Sequence, residues 1–305
     1  MRTGAVIAAA GVPQERENFK PFIRLGSLSS VGRIIANFQQ AGVYPVVVVT
    51  GCRAAELEKH VSRMGAVCVR NRDYEHSDML ASAKLGFSFI KDLCDRVFFT
   101  PSDIPLFTAD TIKKMCETDA RAAKPVCSGA GGHPVLINCG LIPYILEYSG
   151  AGGLRGALAA CCGDVCKVDV QDEGVIYKAS ADENGELVKK HTRRLFRPVV
   201  EVSLMSEGKL LDRQSAALLR MTEYEGTVKE ACEKLGMSYS KAWNMLSALE
   251  ENLGFALIER RPGGECGGTS CLTAEGSSLL EKYEEYTKAV RAFAERSFDE
   301  YFGGI

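Results

Sequence analysis

Short apolar runs alternate with amphipathic stretches over about the first 180 residues. Strand-like runs occupy 4–10, 45–50, 66–70 and 96–100, and residues at helical spacing lie between them. Continuous apolar strands separated by amphipathic helices are typical of a parallel sheet that is covered on both faces. The pattern therefore predicts an α/β fold with a doubly wound, mostly parallel sheet. In such sheets, ligands bind beyond the carboxyl ends of the strands.

After Pro198 the pattern changes to helices and one hairpin. Thr227 and Glu230 have the spacing of a helix-capping box, and Ser238 and Thr273 are predicted to cap two later helices. A glycine-rich stretch separates two short β-rich runs. The predicted elements are a lead-in strand over 199–205, helices over 212–225, 227–235, 239–253 and 274–302, and a hairpin over 255–272. Helix, turn, helix and hairpin in this order indicate a C-terminal winged helix-turn-helix domain.

The two patterns predict two domains joined by a polar segment. The α/β domain covers 1–181, a linker covers 182–196, and the winged-helix domain with its long C-terminal helix covers 197–305. The linker contains four basic residues that can contact phosphate, although a solvated connector is the favoured interpretation. These residues are Lys189, Lys190, Arg193 and Arg194.

Composition favours a cytoplasmic protein without a membrane segment. No apolar run approaches the roughly 20 residues that a bilayer requires. The apolar start of the chain is interpreted as a first buried strand rather than a signal peptide. The 12 cysteines are scattered, which favours reduced thiols over a disulfide framework. Cys161, Cys162 and Cys166 form either a metal or redox cluster or, as we favour, small apolar residues beside a turn.

Charge restricts how the second domain can bind a nucleic acid. Residues 197–305 contain 13 Lys and Arg against 18 Asp and Glu, a net charge of −5, whereas the whole chain has −2. An acidic domain does not attract DNA through its overall field, so positive charge must be confined to the binding surface. The candidate contacts are Ser238, Tyr239, Ser240, Lys241 and Asn244 at the start of the third helix, and Arg260 and Arg261 at the base of the hairpin.

Two segments of this domain resemble a known regulator. Residues 236–243 and 259–276 resemble, in order and spacing, the amino-terminal domain of the molybdate-responsive regulator ModE. The resemblance implies a homodimer that binds double-stranded DNA, with the five candidate contacts of the third helix in the major groove and a wing over 260–269. Apolar residues of the last helix either pair two subunits or pack on their own domain. They are Leu279, Leu280, Tyr283, Val290, Phe293 and Ala294.

The first domain resembles the MobA-like molybdenum-cofactor nucleotidyltransferases. The motifs that support the resemblance occur in order at 8–11 (with Lys20 nine residues on), 48–51, 82–86, 102–105, 132–134 and 153–156. The family joins a CMP or GMP unit to molybdopterin with Mg²⁺. Carried over by position, Ala9, Ala10 and Gly11 cradle phosphate, and Gly51 and Ser82 complete the nucleotide site. Lys20 neutralises the triphosphate and Asp103 holds Mg²⁺, which makes these two residues the implied catalytic pair.

Three departures from that family bear on turnover. The phosphate loop contains Glu15 and Glu17 and lacks the usual serine and second glycine. Asp78 replaces a glycine near the base. Lys178 and Ser180 stand where an Asp-x-Asp-Thr motif is expected, although Asp182 can substitute. Asp103 itself has a structural alternative, as the cap of a helix that begins near Thr108.

The motifs and the charge distribution leave three candidate functions. The favoured one is a transcriptional regulator whose first domain binds a nucleotide, molybdopterin or the finished cofactor. The second is an active cytidylyl- or guanylyltransferase that also regulates its own operon. The third is an enzyme that the C-terminal domain merely dimerises. Whether the first domain turns over is left open by the sequence.

Overall fold

The computed structural model describes residues 1–13, 19–179, 185–196, 198–206, 209–261 and 269–302. Contacts along the chain separate it into two compact units, Met1–Phe196 and Arg197–Ile305, called unit 1 and unit 2 below. Each unit is described by itself.

Unit 1 is built on an eight-stranded sheet in the order β10-β7-β9-β6-β1-β4-β5, with β8 paired to β7. The adjacent pairs among β6, β1, β4 and β5 are parallel, as are β7 and β10, whereas β9 runs antiparallel between β6 and β7. The strands of this sheet are β1 (Thr3–Ala9), β4 (Val46–Thr50), β5 (Val67–Arg70), β6 (Arg96–Pro101), β7 (Ala122–Cys127), β8 (Ala130–Gly131), β9 (Val135–Asn138) and β10 (Cys166–Asp169). A small hairpin of β2 (Arg24–Leu25) and β3 (Leu28–Ser29) precedes the first helix.

Helices cover both faces of this sheet, as the sequence predicts. Helices α1, α2 and α4 share one apolar core with the sheet, and α3, α5 and α6 pack together elsewhere on unit 1, where α3 lies against β1 and β4. The helices are α1 (Ser30–Gln40), α2 (Ala54–Ser62), α3 (Met79–Ile90), α4 (Ala109–Cys116), α5 (Ile142–Glu147), α6 (Gly153–Cys162) and α7 (Glu186–Arg194). The predicted fold class of unit 1 is confirmed.

Burial explains why the apolar runs form central strands. All five residues of β4 are buried, and Ile7 of β1 lies between Val48 of β4 and Thr100 of β6. Such strands have no solvent face, so their side chains are apolar without alternation. Gly86 brings α3 close to β1, because a Cβ at this position would overlap the side chain of Val6.

The expected solvated linker is corrected by the structure, because 186–194 form a helix that packs on α1. Val188 and His191 of α7 are buried. His191 lies opposite Arg33 of α1, whose side chain is 0% exposed. Arg33 donates hydrogen bonds to Leu25 O, to His191 Nδ1 (2.9 Å) and to Thr192 Oγ1 (2.8 Å). A buried guanidinium needs such acceptors, so α7 is part of unit 1.

Unit 2 contains the predicted helix-turn-helix and hairpin. Its elements are β11 (Leu204–Met205), β12 (Lys209–Leu211), α8 (Arg213–Glu225), α9 (Val228–Leu235), α10 (Tyr239–Leu253), β13 (Ile258–Arg261), β14 (Thr269–Leu272) and α11 (Ala274–Phe302). Strands β13 and β14 pair antiparallel. The lead-in strand expected over 199–205 is limited to β11. No helix in the described part of the chain is both long and apolar enough to cross a bilayer.

The helix starts in unit 2 are set by hydroxyl caps that the sequence predicts. The Thr227 hydroxyl accepts from the Glu230 backbone N–H at 3.1 Å, and the Ser238 hydroxyl accepts from Lys241 N–H at 3.3 Å. Thr273 does the same for Gly276 at 2.9 Å. Each cap satisfies one of the amides that lack a partner at a helix start. Gly236 ends α9 with φ of 61°, which makes the sharp turn into α10 possible.

The contact between α7 and α1 predicts a pH-dependent stability of unit 1. Burial lowers the pKa of His191 to about 4 from its ordinary 6.5. The folded state therefore resists protonation, and the stability present above pH 6.5 is lost as the pH falls toward 4. Lowering the pH from 7.5 to 5 should cost unit 1 about 2 kcal/mol through this group. Hydrogen exchange of α1 and α7 amides measures this cost, and His191→Gln should remove it.

His76→Gln is the matched control for this measurement, because the His76 side chain is 80% exposed. An equal response to pH in wild type and His191→Gln would contradict the assignment. The only tryptophan, Trp243, lies in unit 2, so tryptophan fluorescence does not report on unit 1.

Candidate nucleotide site and nucleic-acid surface

The carboxyl ends of β1 and β4 meet in close backbone contact. Ala9 pairs with Thr50, and Ala10 O accepts a hydrogen bond from Cys52 N at 3.1 Å. Gly51 has no room for a side chain, since an added Cβ would lie 2.6 Å from Tyr74 Cβ and 2.7 Å from Ala10 O. The structure thus brings Ala9, Ala10 and Gly51 together at one edge of the sheet, and Gly11 continues from them.

Lys20 and Asp103 form an ion pair at the same edge. Lys20 Nζ lies 2.7 Å from Asp103 Oδ2, although 83 residues separate them in sequence. Asp103 is 9% exposed, whereas the Lys20 side chain is 60% exposed. The carboxylate is therefore fixed in the protein, and the ammonium group projects from its outer side. Lys20 begins a short 3-10 turn that leads toward β2.

Asp103 is not a helix cap in this structure. Thr108 caps α4, because its hydroxyl accepts from Thr111 N–H. Asp103 follows the end of β6, and its carboxylate faces Lys20. The alternative of a purely capping role for Asp103 is corrected by this geometry.

Ser82 and Asp78 lie at the start of α3. Asp78 caps this helix by accepting from Ala81 N–H at 2.8 Å, which gives the unusual residue of the base-side loop a structural role. Ser82 is buried, and its hydroxyl accepts a hydrogen bond from Asn71 Nδ2 at 3.1 Å. Asn71 follows β5 at the carboxyl edge of the sheet. Ser82 therefore lies beside the end of a neighbouring strand.

Sequence reasoning missed Asn71 and Arg53. Asn71 is a buried polar residue directly after a predicted strand, and that position was the available signal. Arg53 adopts φ of 51°, and its guanidinium lies 5.2 Å from the Phe19 ring and 5.0 Å from the Phe22 ring. It thereby packs the residues on both sides of Lys20 against the end of β4. A positive φ cannot be read from sequence at an arginine.

Residues 172–179 pass close to Asp103. The Asp172 carboxylate accepts from Thr108 N (2.8 Å) and from the hydroxyls of Thr108 (2.9 Å) and Thr111 (2.6 Å). Farther along, Ala179 N donates to Asp103 O at 2.8 Å. The segment is fixed at both ends, and its exposed Lys178 lies next to the residue that bonds Asp103.

His133 lies close to the same point. Its backbone N–H donates to Val175 O at 2.8 Å. Burial lowers the pKa of His133, and the positive charge of Lys178 lowers it further. A hydrogen bond to Phe99 O and the negative charge of Asp103 act in the opposite direction. The imidazole is therefore neutral at pH 7. Lys20, Asp103, His133 and Lys178 are called the phosphate cluster below.

Several predicted features lie outside the described residues. These are Glu15, Glu17, Ser180, Asp182 and the wing tip over 262–268. The side chains of Arg260 and Arg261 also lie outside them, although their backbone belongs to β13.

The cysteine group flagged in the sequence has ordinary helical contacts. Cys162 Sγ donates to Leu158 O at 3.1 Å, and Cys161 Sγ contacts the same carbonyl at 3.7 Å. Within the described ranges, no cluster of three or more His, Cys, Asp or Glu is arranged to hold a metal ion.

The amino end of α10 presents the predicted DNA contacts to solvent. Ser238, Tyr239, Ser240, Lys241 and Asn244 are all exposed, and Tyr239 is 52% exposed. Ala242, Leu246 and Leu249 hold the opposite face of the helix in the core. Lys241 Nζ donates to Gln214 Oε1 on α8 at 3.1 Å. A helix with a buried back and a polar exposed start has the form that enters a major groove.

The apolar residues of α11 differ in burial between the first and the second half of the helix, which bears on whether they pack on their own domain or pair two subunits. Leu280 and Tyr283 are buried, and Tyr283 Oη donates to Val202 O at 2.8 Å within unit 2. Arg220 of α8 pairs with Glu284 at 2.7 Å and holds the first half of α11 to its own domain. Phe293, in the second half, is 63% exposed. The first half of α11 therefore packs on its own domain.

Comparison with protein families identifies the first unit. A model described as the MobA-like NTP transferase domain matches residues 5–165, which is more than half of the chain. This chain belongs to the MobA-like NTP transferase domain family. A second model, the bacterial regulatory helix-turn-helix protein of the lysR family, matches residues 213–277. The MobA-like domain is thus joined to a helix-turn-helix region.

Curated relatives match about a quarter of this chain. The molybdenum-pterin-binding protein MopB of Rhodobacter capsulatus is 30% identical over 82 residues, covering 27% of this chain and 30% of MopB. The transcriptional dual regulator ModE of Escherichia coli K12 is 29% identical over 73 residues, covering 24% of this chain and 28% of ModE. The match spans less than a third of the length of these relatives. The predicted resemblance to ModE-type regulators is confirmed.

Solved structures share the fold of the MobA-like domain. A nucleotidyl transferase from Methanothermobacter thermautotroptrophicus has a TM-score of 0.51 and 20% identity, covering 63% of this chain and 98% of that one. An Rv0371c homologue from Mycobacterium sp. strain JC1 has a TM-score of 0.51 and 19% identity, covering 63% and 99%. At this identity the likeness shows the fold alone.

The tight path of residues 172–179 predicts a strong effect of a small substitution. A Cβ at Gly174 would overlap Leu106 O and lie 2.8 Å from Phe107 N. Gly174→Ala should therefore destabilise the MobA-like domain by about 1–3 kcal/mol, because well-packed backbone cannot give way. Hydrogen exchange across β6 and residues 172–179 measures the loss.

Gly185→Ala is the matched control, since nothing lies within 4 Å of an added Cβ there and its φ is −67°. Equal protection in both variants would show that the segment is not packed as described.

Proposed function

We propose that this protein is a DNA-binding transcriptional regulator of molybdenum-cofactor metabolism whose MobA-like domain binds a nucleotide triphosphate or molybdopterin. The exposed amino end of α10, held on a helix-turn-helix core, is the observation that best supports this function. The partial identity to ModE, which is named a DNA-binding transcriptional dual regulator, and to MopB, which is named a molybdenum-pterin-binding protein, supports the regulatory role and its metabolic context. A cytoplasmic location and a homodimer belong to the same proposal.

The surface of α10 would contact DNA by two kinds of group. Lys241 supplies positive charge for phosphate, and Gln214 holds its ammonium group at the start of the helix. Ser238, Tyr239, Ser240 and Asn244 supply hydrogen-bonding groups for base edges and phosphates. Arg260 and Arg261, on the strand that leads to the wing, would add phosphate contacts. The proposed surface therefore concentrates basic groups in one place, although the net charge of unit 2 is negative.

The carboxyl edge of the sheet would hold the nucleotide. In this role, the backbone of Ala9, Ala10 and Gly11 faces phosphate and Lys20 neutralises triphosphate charge. Ser82 and Gly51 border the base and sugar. Lys20 reaches solvent while its partner Asp103 is fixed, so the ammonium group is free to turn toward a phosphate that arrives from outside. The ligand class is therefore a polyanion.

A divalent cation fits this donor set. Magnesium in phosphate sites is typically held by one or two carboxylates together with phosphate oxygens. Asp103 provides one fixed carboxylate beside the expected phosphates. Bound there with a nucleotide, Mg²⁺ would be held by Asp103 and would neutralise developing phosphate charge.

Binding to duplex DNA tests the regulatory function. We expect the full chain to retard DNA from its own promoter region at low salt. Lys241→Ala should weaken binding by about 10-fold and lower the slope of log K against log salt by about one, because one phosphate contact is lost. Fluorescence anisotropy across a salt series measures both quantities.

Lys288→Ala, on the exposed face of α11, removes the same charge away from the proposed surface and serves as the control. Lack of binding at low salt would contradict the regulator and favour a domain that only dimerises.

Nucleotidyl transfer is the second candidate function, and the intact pairing of Lys20 with Asp103 favours it. Catalysis of this kind is mostly positioning and charge neutralisation, which these two residues can supply. The enzyme would transfer a CMP or GMP unit to molybdopterin.

This candidate predicts pyrophosphate release when the protein is incubated with Mg²⁺, CTP or GTP, and molybdopterin. Asp103→Ala should reduce the release by about 100-fold or more, since a charge-stabilising group is removed. Asp110→Ala is the control, because Asp110 is exposed on the first turn of α4. If a nucleotide binds but no pyrophosphate is released, the transferase function is excluded. The MobA-like domain would then act only as the ligand-binding domain of a regulator.

A further inference from the structure

Residues 172–179 are held between two other segments of unit 1. Gly174 touches the Leu106 carbonyl so closely that a Cβ would overlap it, and a Cβ at Gly132 would overlap the Val175 carbonyl. Asp172 anchors the start of the segment through Thr108 and Thr111. The backbone that leads to Lys178 therefore has little freedom to move.

The end of the segment is tied to the ion-pair residue itself. Ala179 N donates to Asp103 O at 2.8 Å. Lys178 directly precedes Ala179, which makes this bond to Asp103. The Lys178 side chain is exposed at the same edge of the sheet as Lys20. Tertiary structure brings the backbone next to Lys178 to the residue that pairs with Lys20, although 158 positions separate the two lysines along the chain.

The charges of the phosphate cluster add up to a cationic site. Lys20 and Lys178 are positive, Asp103 is negative, and His133 is neutral because burial lowers its pKa. The positive charge of Lys178 also lowers the pKa of His133, which agrees with their proximity. One excess positive charge beside exposed ammonium groups favours a ligand with several negative oxygens.

We propose that Lys178 is a second cationic anchor for a phosphate group at the Asp103 site, acting with Lys20. This inference rests on the proposed nucleotide-binding role of the MobA-like domain and adds a residue to it. The phosphate belongs either to the triphosphate of a nucleotide or to the phosphate ester of an acceptor. Because Lys178 supplies charge where the family resemblance implies a metal-binding acid, its contribution is largest when no divalent cation is present.

Equilibrium binding to the full chain tests this proposal. The probes are CTP, GTP and inorganic phosphate, each measured by calorimetry in EDTA and again in Mg²⁺. We expect Lys178→Ala to weaken binding of CTP or GTP by about 10-fold in EDTA and by about 3-fold in Mg²⁺, because the cation replaces part of the lost charge. Lys178→Arg should stay within about 3-fold of wild type.

Lys91→Ala is the matched control. Lys91 directly follows α3, and Ile90 of this helix lies against Gly4 at the start of β1. The substitution therefore removes the same charge at the opposite edge of the sheet. A structural role for Lys178 would weaken binding equally with and without Mg²⁺ and would not be rescued by arginine.

The outcomes separate this inference from the function on which it rests. Weaker binding of CTP or GTP assigns Lys178 to the triphosphate, and weaker binding of inorganic phosphate alone assigns it to the acceptor phosphate. Wild-type affinity of Lys178→Ala for all three probes overturns the inference but leaves the nucleotide site standing. Failure of the wild-type chain to bind any of them overturns both.

Discussion

A carboxylate that is nearly buried at the edge of a sheet requires a cation, and this requirement organises the site of unit 1. Asp103 meets it with Lys20 at 2.7 Å. Because Asp103 is fixed and Lys20 is exposed, the pair is stable without a ligand and can still present positive charge to solvent. The contacts of Arg53 with Phe19 and Phe22 and the path of residues 172–179 both hold backbone around this pair.

The same unit contains a second buried charge whose role is architectural. Arg33 is enclosed, and its partners among the described residues are a carbonyl, a neutral imidazole and a hydroxyl. Two of these acceptors belong to α7, the last helix before unit 2 begins at Arg197. The end of unit 1 is thus attached through a polar buried contact rather than through apolar packing alone. Burial lowers the pKa of His191, which is the reason why we expect this attachment to weaken at low pH.

In the proposed role, unit 2 would bind DNA through a local arrangement of charge although its net charge is negative. The start of α10 exposes polar and basic groups, and elsewhere in the unit the acid Glu284 is paired with Arg220. Overall charge is therefore a poor guide to this surface, and the position of individual lysines decides it. The MobA-like domain and the helix-turn-helix region each carry exposed groups that suit the class of ligand proposed for them.

Hydrophobic periodicity predicted β1, β4, β5 and β6, and capping residues helped to predict the helices of unit 2, because continuous apolar runs and the hydroxyls of Thr227, Ser238 and Thr273 are local features of the sequence. Motif order also located Lys20, Ser82 and Asp103. The sequence did not predict that residues 186–194 form a helix packed on α1. Their polar composition indicates a linker, and the hydrogen bond from Arg33 to His191 becomes visible only in the tertiary structure. The resemblance aligned Lys178 with a metal-site motif, but only the structure shows the bond from Ala179 N to Asp103 O, and only the structure places Asn71 beside Ser82. Ala179 and Asp103 are 76 positions apart and the tight passage at Gly174 fixes the segment that joins them, whereas Asn71 and Ser82 are 11 positions apart and meet where β5 ends and α3 begins.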